Sequence, residues 1–156
     1  MLKRLALISL AVYLRRFQEA DAAAVYDLVC STLEEEYDPQ AFMILPKLWP
    51  QGAIVCENEL GIVGFLLGTV TAPGQVQLLM LSVDPDLRHR GIGSEMMLKF
   101  LAECNALNCL SVELEVRKNN LNAIRFYQKF GFRLVDLKEN YYHDGEDAFI
   151  MLLEES

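Results

Sequence analysis

At 156 residues, 53% of them hydrophobic, the chain is long enough for one domain around one packed core. Lys and Arg total 14 against 22 Asp and Glu, a formal net charge of −8. That balance argues against a general nucleic-acid binder and suits a cationic substrate such as an amine.

Lys3 and Arg4 precede an apolar run from Leu5 to Val12, the opening pattern of a signal peptide. No small-x-small cleavage site follows cleanly, and the run is too short to span a bilayer. Residues 1–12 are therefore expected to be an N-terminal extension or the lead-in to a first strand, in a cytoplasmic protein without a membrane partner. Alternation at Val12, Leu14 and Phe17 predicts that strand, ending near Arg16. Asp21 starts a helix whose apolar face is Ala24, Val25, Leu28 and Val29, reaching about Leu33. Asp38-Pro39 opens a second, shorter helix that ends before Pro50.

Strands over Ala53–Cys56 and Ile62–Thr71 flank the turn Asn58 to Gly61, and Pro73-Gly74 turns the chain into a strand from Val76 to Val83. A helix follows Gly91 to about Leu107, then a buried strand from Leu110 to Val116. Asn120 caps a helix through Phe130, stopped by Gly131. Leu134–Tyr142 and Asp147–Leu153 close the chain as a hairpin-like pair around Asp144-Gly145. With no repeats, linkers or low-complexity segments, residues 1–156 read as a single α+β domain.

The run Val83-Asp84-Pro85-Asp86-Leu87-Arg88-His89-Arg90-Gly91-Ile92-Gly93-Ser94 joins a strand to a helix. Bare N–H groups at a helix N-terminus, two glycines and three basic side chains suit a phosphate-bearing ligand. A nucleotide P-loop needs Lys-Ser/Thr after its second glycine, where this chain has Ser94-Glu95. The dinucleotide fingerprint needs a small residue where Met96 stands. Both fail. Read alone, the segment could equally be a turn whose glycines serve only the backbone. Cys30, Cys56, Cys104 and Cys109 match no zinc spacing, only two histidines are present, and no metal is expected. Each cysteine lies in an apolar context and reads as a buried free thiol of a reducing compartment.

Arg88-x-x-Gly91-x-Gly93 resembles the acetyl-CoA pyrophosphate loop of the GNAT acetyltransferases. The order β-α-α-β-β-β-α-β-α-β-β is similar to that family's fold. Its second signature is matched too: Asn120 opens a helix, Tyr127 follows seven residues later, and Gly131-Phe132 comes after. Alone, Asn120 is a plain cap and Tyr127 a half-buried aromatic; two turns apart, both can face one side of the helix. From Leu81 to Met151 the chain resembles the RimI-like branch, the protein N-terminal acetyltransferases, through Leu114-Glu115-Val116-Arg117 and Tyr141-Tyr142-x-Asp144-Gly145-Glu146-Asp147. It shares features with the bacterial ribosomal-protein alanine acetyltransferases and with the archaeal and N-terminal acetyltransferase A catalytic subunits. Upstream, Leu33 to Tyr37 resembles the latter's first inter-helix loop, with Glu34 and Glu36 departing from its pattern.

The resemblance implies a mixed, mostly antiparallel seven-stranded sheet with four helices, strands four and five splayed around the coenzyme. Asp84-Pro85 offers a reason for the gap, since proline has no N–H to give a neighbouring strand. The resemblance also implies acetyl-CoA as cosubstrate, held by Leu81, Ser82, Val83, Arg88, His89, Arg90, Gly91, Ile92, Gly93, Ser94, Asn120 and Tyr127. Glu115 is then the general base, although neighbouring Glu113 shares its strand face, and Tyr127 serves the leaving sulfur. Tyr141 and Tyr142 read either as cross-strand aromatics or, with Tyr37 and Glu35, as walls of a peptide channel. The expected activity is acetyl transfer to the free α-amine of a protein or peptide N-terminus. A small-molecule amine acetyltransferase and a non-catalytic acyl-CoA sensor are the alternatives. A homodimer or a ribosome-associated subunit is an open possibility for assembly.

Overall fold

In the computed structural model, which describes residues 11–33 and 35–155, the alternating apolar runs pair into one seven-stranded sheet. The elements are β1 (Tyr13–Arg16), α1 (Ala22–Thr32), α2 (Ala41–Leu48), β2 (Ala53–Asn58), β3 (Gly61–Ala72), β4 (Gln75–Val83), α3 (Ile92–Ala106), β5 (Ser111–Arg117), α4 (Leu121–Lys129), β6 (Arg133–Lys138) and β7 (Ala148–Glu154). The strand order is β1-β2-β3-β4-β5-β7-β6. Every neighbour is antiparallel except β4 and β5. The expected α+β class and mixed sheet are borne out. Most of the apolar run before Val12 lies outside the described residues, and no described helix is long and apolar enough to cross a membrane.

The sheet is buried on both faces. Met96, Met97 and Phe100 of α3 pack with Leu114, Val116 and Met151 on one face. Val25 and Val29 of α1 and Phe42 of α2 pack with Phe65, Leu67 and Met80 on the other. Strand β4 serves both: Val76 and Leu78 face α3, whereas Met80 faces α1 and α2. Two residues of the same parity on opposite faces require an irregularity, because side chains alternate along a regular strand. It is a β-bulge. Leu67 pairs with Met80 and Gly68 with Leu78, leaving Leu79 as an extra residue in β4.

The bulge lies where the sheet forks. Parallel pairing runs from Gln75↔Ser111 to Leu78↔Leu114 and stops, while β4 continues to Val83 and β5 to Arg117. The gap therefore opens well before Asp84-Pro85, contrary to the expectation that proline causes it. Pairing of β4 with β3 outlasts the fork, since the Asp84 N–H still donates to Val63 O at 2.8 Å. The extra residue and added twist at Leu79 turn β4 away from β5. Gly68, beside the bulge, lets α3 close on the sheet: a Cβ there would lie 2.4 Å from the Phe100 ring.

Two further expectations are corrected. The strand expected over Leu134–Tyr142 ends at Lys138. Beyond it the Asn140 N–H donates to the Asp147 carboxylate, and the N–H groups of Tyr141 and Tyr142 share Glu146 O. Those bonds curl residues 139–147 into a loop. Cys56, Cys104 and Cys109 are buried free thiols, but Cys30 is exposed, because the buried stripe of α1 is Val25, Leu28 and Val29.

The entry to α1 is locked by Arg15, whose guanidinium meets both Asp21 carboxylate oxygens at 2.8 and 2.9 Å; Asp21 also accepts the Gln18 N–H at 2.7 Å. Hydrogen bonding from Arg15 holds the Asp21 carboxyl below its ordinary range. A depressed carboxylate stabilises fully above its unfolded value, about 3.9, and loses that contribution as pH falls through the folded value. Asp21→Asn is expected to cost about 2 kcal/mol at pH 7, lowering the melting temperature by roughly 4–8 °C. Calorimetry from pH 7 down to 2 should show the difference between variant and parent shrinking only below about pH 4.

Candidate active site

The glycine loop begins where β4 leaves the sheet. Arg88 is anchored by an Nε–H bond to Val83 O at 3.3 Å, and His89 has φ +63°. Gly91 takes φ +85° at the N-terminus of α3, a conformation that requires glycine. The first helical bond runs from the Glu95 N–H to Gly91 O. Ahead of it, the amides of Ile92, Gly93 and Ser94 have no acceptor among the described residues. Gly93 is informative for another reason. Its backbone is ordinary, and a Cβ there would meet Phe126 at 3.5 Å and Val83 at 3.8 Å, normal contacts. Neither conformation nor packing demands glycine at 93, which leaves close approach of a ligand as the physical reason. The side chains of Arg88, His89 and Arg90 are exposed and form no ion pair among the described residues.

Strand geometry sets which β4 amides enter the fork. Backbone N–H groups alternate in direction, and that of Asp84 points at β3. Those of Leu81 and Val83 therefore point the other way, into the gap. Ser82 differs from its neighbours: its N–H faces β3, its side chain faces α1 and α2, and its buried hydroxyl has no hydrogen-bond partner among the described residues. The Ile92 side chain is in the core, so only its amide is available to the loop.

Tyr127 reaches the same end of the sheet from α4. Its ring meets Phe126 and Phe132 edge to face at 5.5 and 5.8 Å, and Phe126 is the residue against which Gly93 sits. Burial pushes the phenol up to about 12, so it stays protonated at neutral pH. Asn120 caps α4 through an acceptor bond to the Ala123 N–H at 3.2 Å.

The other face of β5 is built differently. Val112, Leu114 and Val116 point to α3, so alternation turns Glu113, Glu115 and Arg117 toward α1 and α2. Glu115 and Tyr127 thus approach the fork from opposite faces. Glu115 accepts from Lys138 Nζ at 3.4 Å, and its influence together with partial burial pushes the Tyr141 phenol up to about 12. Tyr37 is likewise pushed up to about 12, chiefly by burial. Tyr142 is raised by burial and lies under the Arg117 guanidinium, 4.2 Å from ring to cation.

Arg117 is the residue that motif reading left without a role. It pairs with Glu35 of the α1–α2 loop and with Asp144 and Glu146 of the β6–β7 loop, the latter two at 2.8 and 3.0 Å. His143 Nδ1 lies 3.3 Å from Glu35 as well. Burial opposes the Arg117 charge, but the three carboxylates more than offset it and keep the group cationic. Two loops distant in sequence are thereby fixed over one face of the fork, bringing Glu35, Tyr37, Glu115, Tyr141 and Tyr142 together. The loop residues were legible through their resemblance, but the tie between the loops had as its one sequence signal the charge of Arg117. Arg117→Met should leave three loop carboxylates without their shared cation, Glu35 and Glu146 partly buried and Asp144 exposed. Hydrogen–deuterium exchange is expected to accelerate at least tenfold in residues 35–38 and 141–147, with β2 and β3 unchanged.

Comparison with known proteins agrees with this architecture. The model of the acetyltransferase (GNAT) family matches residues 22–132. An N-alpha-acetyltransferase of Sulfolobus acidocaldarius is 32% identical over 133 residues, covering 78% of this chain and 79% of the relative. A [ribosomal protein bS18]-alanine N-acetyltransferase of Salmonella typhimurium is 34% identical over 82 residues, covering 51% and 55%. The crystal structure of Ard1 from Thermoplasma volcanium superposes with a TM-score of 0.90 at 35% identity, covering 94% of this chain and 99% of that one. With the forked sheet, the glycine loop and a family model spanning most of its length, the chain belongs to the GNAT acetyltransferase family.

Proposed function

We propose that this protein transfers the acetyl group of acetyl-CoA directly to the free α-amino group of a protein or peptide N-terminus. The observation that carries the reading is the fork itself. Inward amides at Leu81 and Val83 lie between a carboxylate on one face and a protonated phenol on the other. The names of the Sulfolobus and Salmonella relatives support the choice of an N-terminal acceptor.

Acetyl transfer needs a neutral amine, a polarised thioester carbonyl and a stabilised leaving thiolate. The loop amides from Ile92 to Ser94, with Arg88, His89 and Arg90, fit the diphosphate of the coenzyme, which brings the activated acetyl group. An inward β4 amide stabilises charge developing on the carbonyl oxygen. Glu115 receives the proton of the amine. Tyr127, at about 12, is a weaker acid than an ordinary thiol near 8.5, so its contribution is a hydrogen bond to the sulfur rather than full proton donation.

Amine chemistry favours an N-terminus. With an ordinary pKa near 7.7–8.0, roughly a tenth of α-amines are neutral at pH 7, against less than about a thousandth of lysine side chains. A carboxylate base is sufficient for the first class and poorly matched to the second. The loops tied by Arg117 add Tyr37, Tyr141 and Tyr142 as walls suited to an extended peptide, with Glu35 beside them.

The protein should acetylate peptides bearing a free N-terminus and leave polyamines and aminoglycosides untouched. The reverse preference would replace this reading with a small-molecule acetyltransferase. Tyr127→Phe is expected to keep acetyl-CoA affinity while kcat drops about tenfold or more, measured by titration and steady-state kinetics. Gly93→Asp should weaken acetyl-CoA binding at least tenfold in an equilibrium titration and leave the melting temperature within a few degrees. Equal affinity in that titration would contradict the phosphate assignment.

A further inference from the structure

We infer that Lys138 is the resident counter-ion of Glu115, occupying the position of the acceptor's ammonium until the substrate displaces it and recapturing the carboxylate after transfer. The inference rests on the reading that Glu115 meets the incoming amine.

The sheet register places the two groups. Arg117 pairs with Ala148 and Ala148 with Lys138, so the three side chains form one row on the acceptor face. Ala148 is buried and short, which leaves room for the Lys138 stem to cross β7. Its Nζ arrives 3.4 Å from Glu115 Oε1 and 5.2 Å from the Tyr141 ring centre. Arg117, on the same face, is engaged elsewhere, held among Glu35, Asp144 and Glu146. Glu115 is thus served by a cation on a mobile stem, whose side chain is 45% exposed on an edge strand with all six residues open to solvent.

An ε-ammonium and a protonated α-amine are the same species to a carboxylate: one positive charge and N–H donors. An arriving ammonium competes with Lys138 for the single negative charge of Glu115, so acceptor binding favours exchange. The bound ammonium passes one proton to Glu115 and becomes a neutral amine; its attack forms the N–C amide bond and breaks the C–S bond, the nitrogen losing its second proton to solvent while the sulfur leaves as a thiolate hydrogen-bonded by Tyr127. The product nitrogen is then an uncharged amide. Once Glu115 has returned its proton to solvent, that amide no longer competes and Lys138 returns. The device weakens substrate binding slightly and favours product release. A partly exposed ion pair supports an effect of about three- to fivefold.

The test uses the full chain, acetyl-CoA and one good peptide in two forms, free-amine and N-terminally acetylated. Lys138→Met is expected to lower KM for the free-amine peptide three- to fivefold with the KM for acetyl-CoA unchanged. Lys138→Arg should keep the parent value. In direct titration, Lys138→Met should tighten the free-amine peptide by the same factor and leave the acetylated peptide's affinity unchanged. A purely structural role for Lys138 would move both peptides together. An unchanged or raised KM, or equal shifts for the two peptides, would overturn the inference while leaving the proposed function standing. A parent protein that acetylates no free-amine peptide would remove both.

Discussion

Leu79 sits between Leu78, the last residue of β4 to pair with β5, and Met80, and it packs with Met80 on the α1 and α2 face. One extra residue in β4 has two consequences at once. It turns the strand away from β5, opening the fork, and it leaves a stretch of β4 whose outer amides have no strand partner. Unpaired backbone donors inside a protein are costly unless something binds them. A ligand carbonyl in the fork would satisfy a donor that the sheet cannot. The same displacement aims the end of β4 at the glycine loop, so the strand edge and the N-terminus of α3 address one ligand along a continuous path.

The fork also separates two kinds of chemistry. On the α3 and α4 face are bare amides, exposed basic side chains and a phenol kept protonated by burial, all suited to an anionic, sulfur-bearing molecule. On the α1 and α2 face the charges are carboxylates organised by Arg117 and Lys138, suited to a cationic amine. The acidic character of the chain, net −8, extends to the acceptor side, while the anionic partner is met by a local concentration of Arg88, His89 and Arg90. The sheet keeps the two apart except where it splits.

Much of this was legible in the residues. The elements follow local patterns, and the glycine loop and the Asn120-to-Tyr127 spacing are local signals that survive in the structure as a helix N-terminus and a helix face. The cause of the fork was not legible. A proline is visible in a sequence, whereas a bulge depends on how β3 registers against β4, and nothing in Leu78-Leu79-Met80 marks one leucine as extra. Arg117 was missed for a related reason: its partners lie 27, 29 and 82 residues away. Lys138 reaches Glu115 only because β7 intervenes between β6 and β5. The end of β6 was misplaced because side-chain and carbonyl acceptors from Glu146 and Asp147 override the propensity of Tyr141 and Tyr142 for a strand.

In the proposed reaction the amides of Leu81 and Val83, freed by the bulge, receive the acetyl carbonyl. Backbone amide chemical shifts of isotopically labelled protein, titrated separately with acetyl-CoA and with CoA, test it most directly. Both ligands are expected to shift Ile92, Gly93 and Ser94 alike, while acetyl-CoA alone moves at least one of Leu81 and Val83 strongly downfield. If both β4 amides stay in place with acetyl-CoA saturating the loop, the fork does not hold the thioester and the account is wrong.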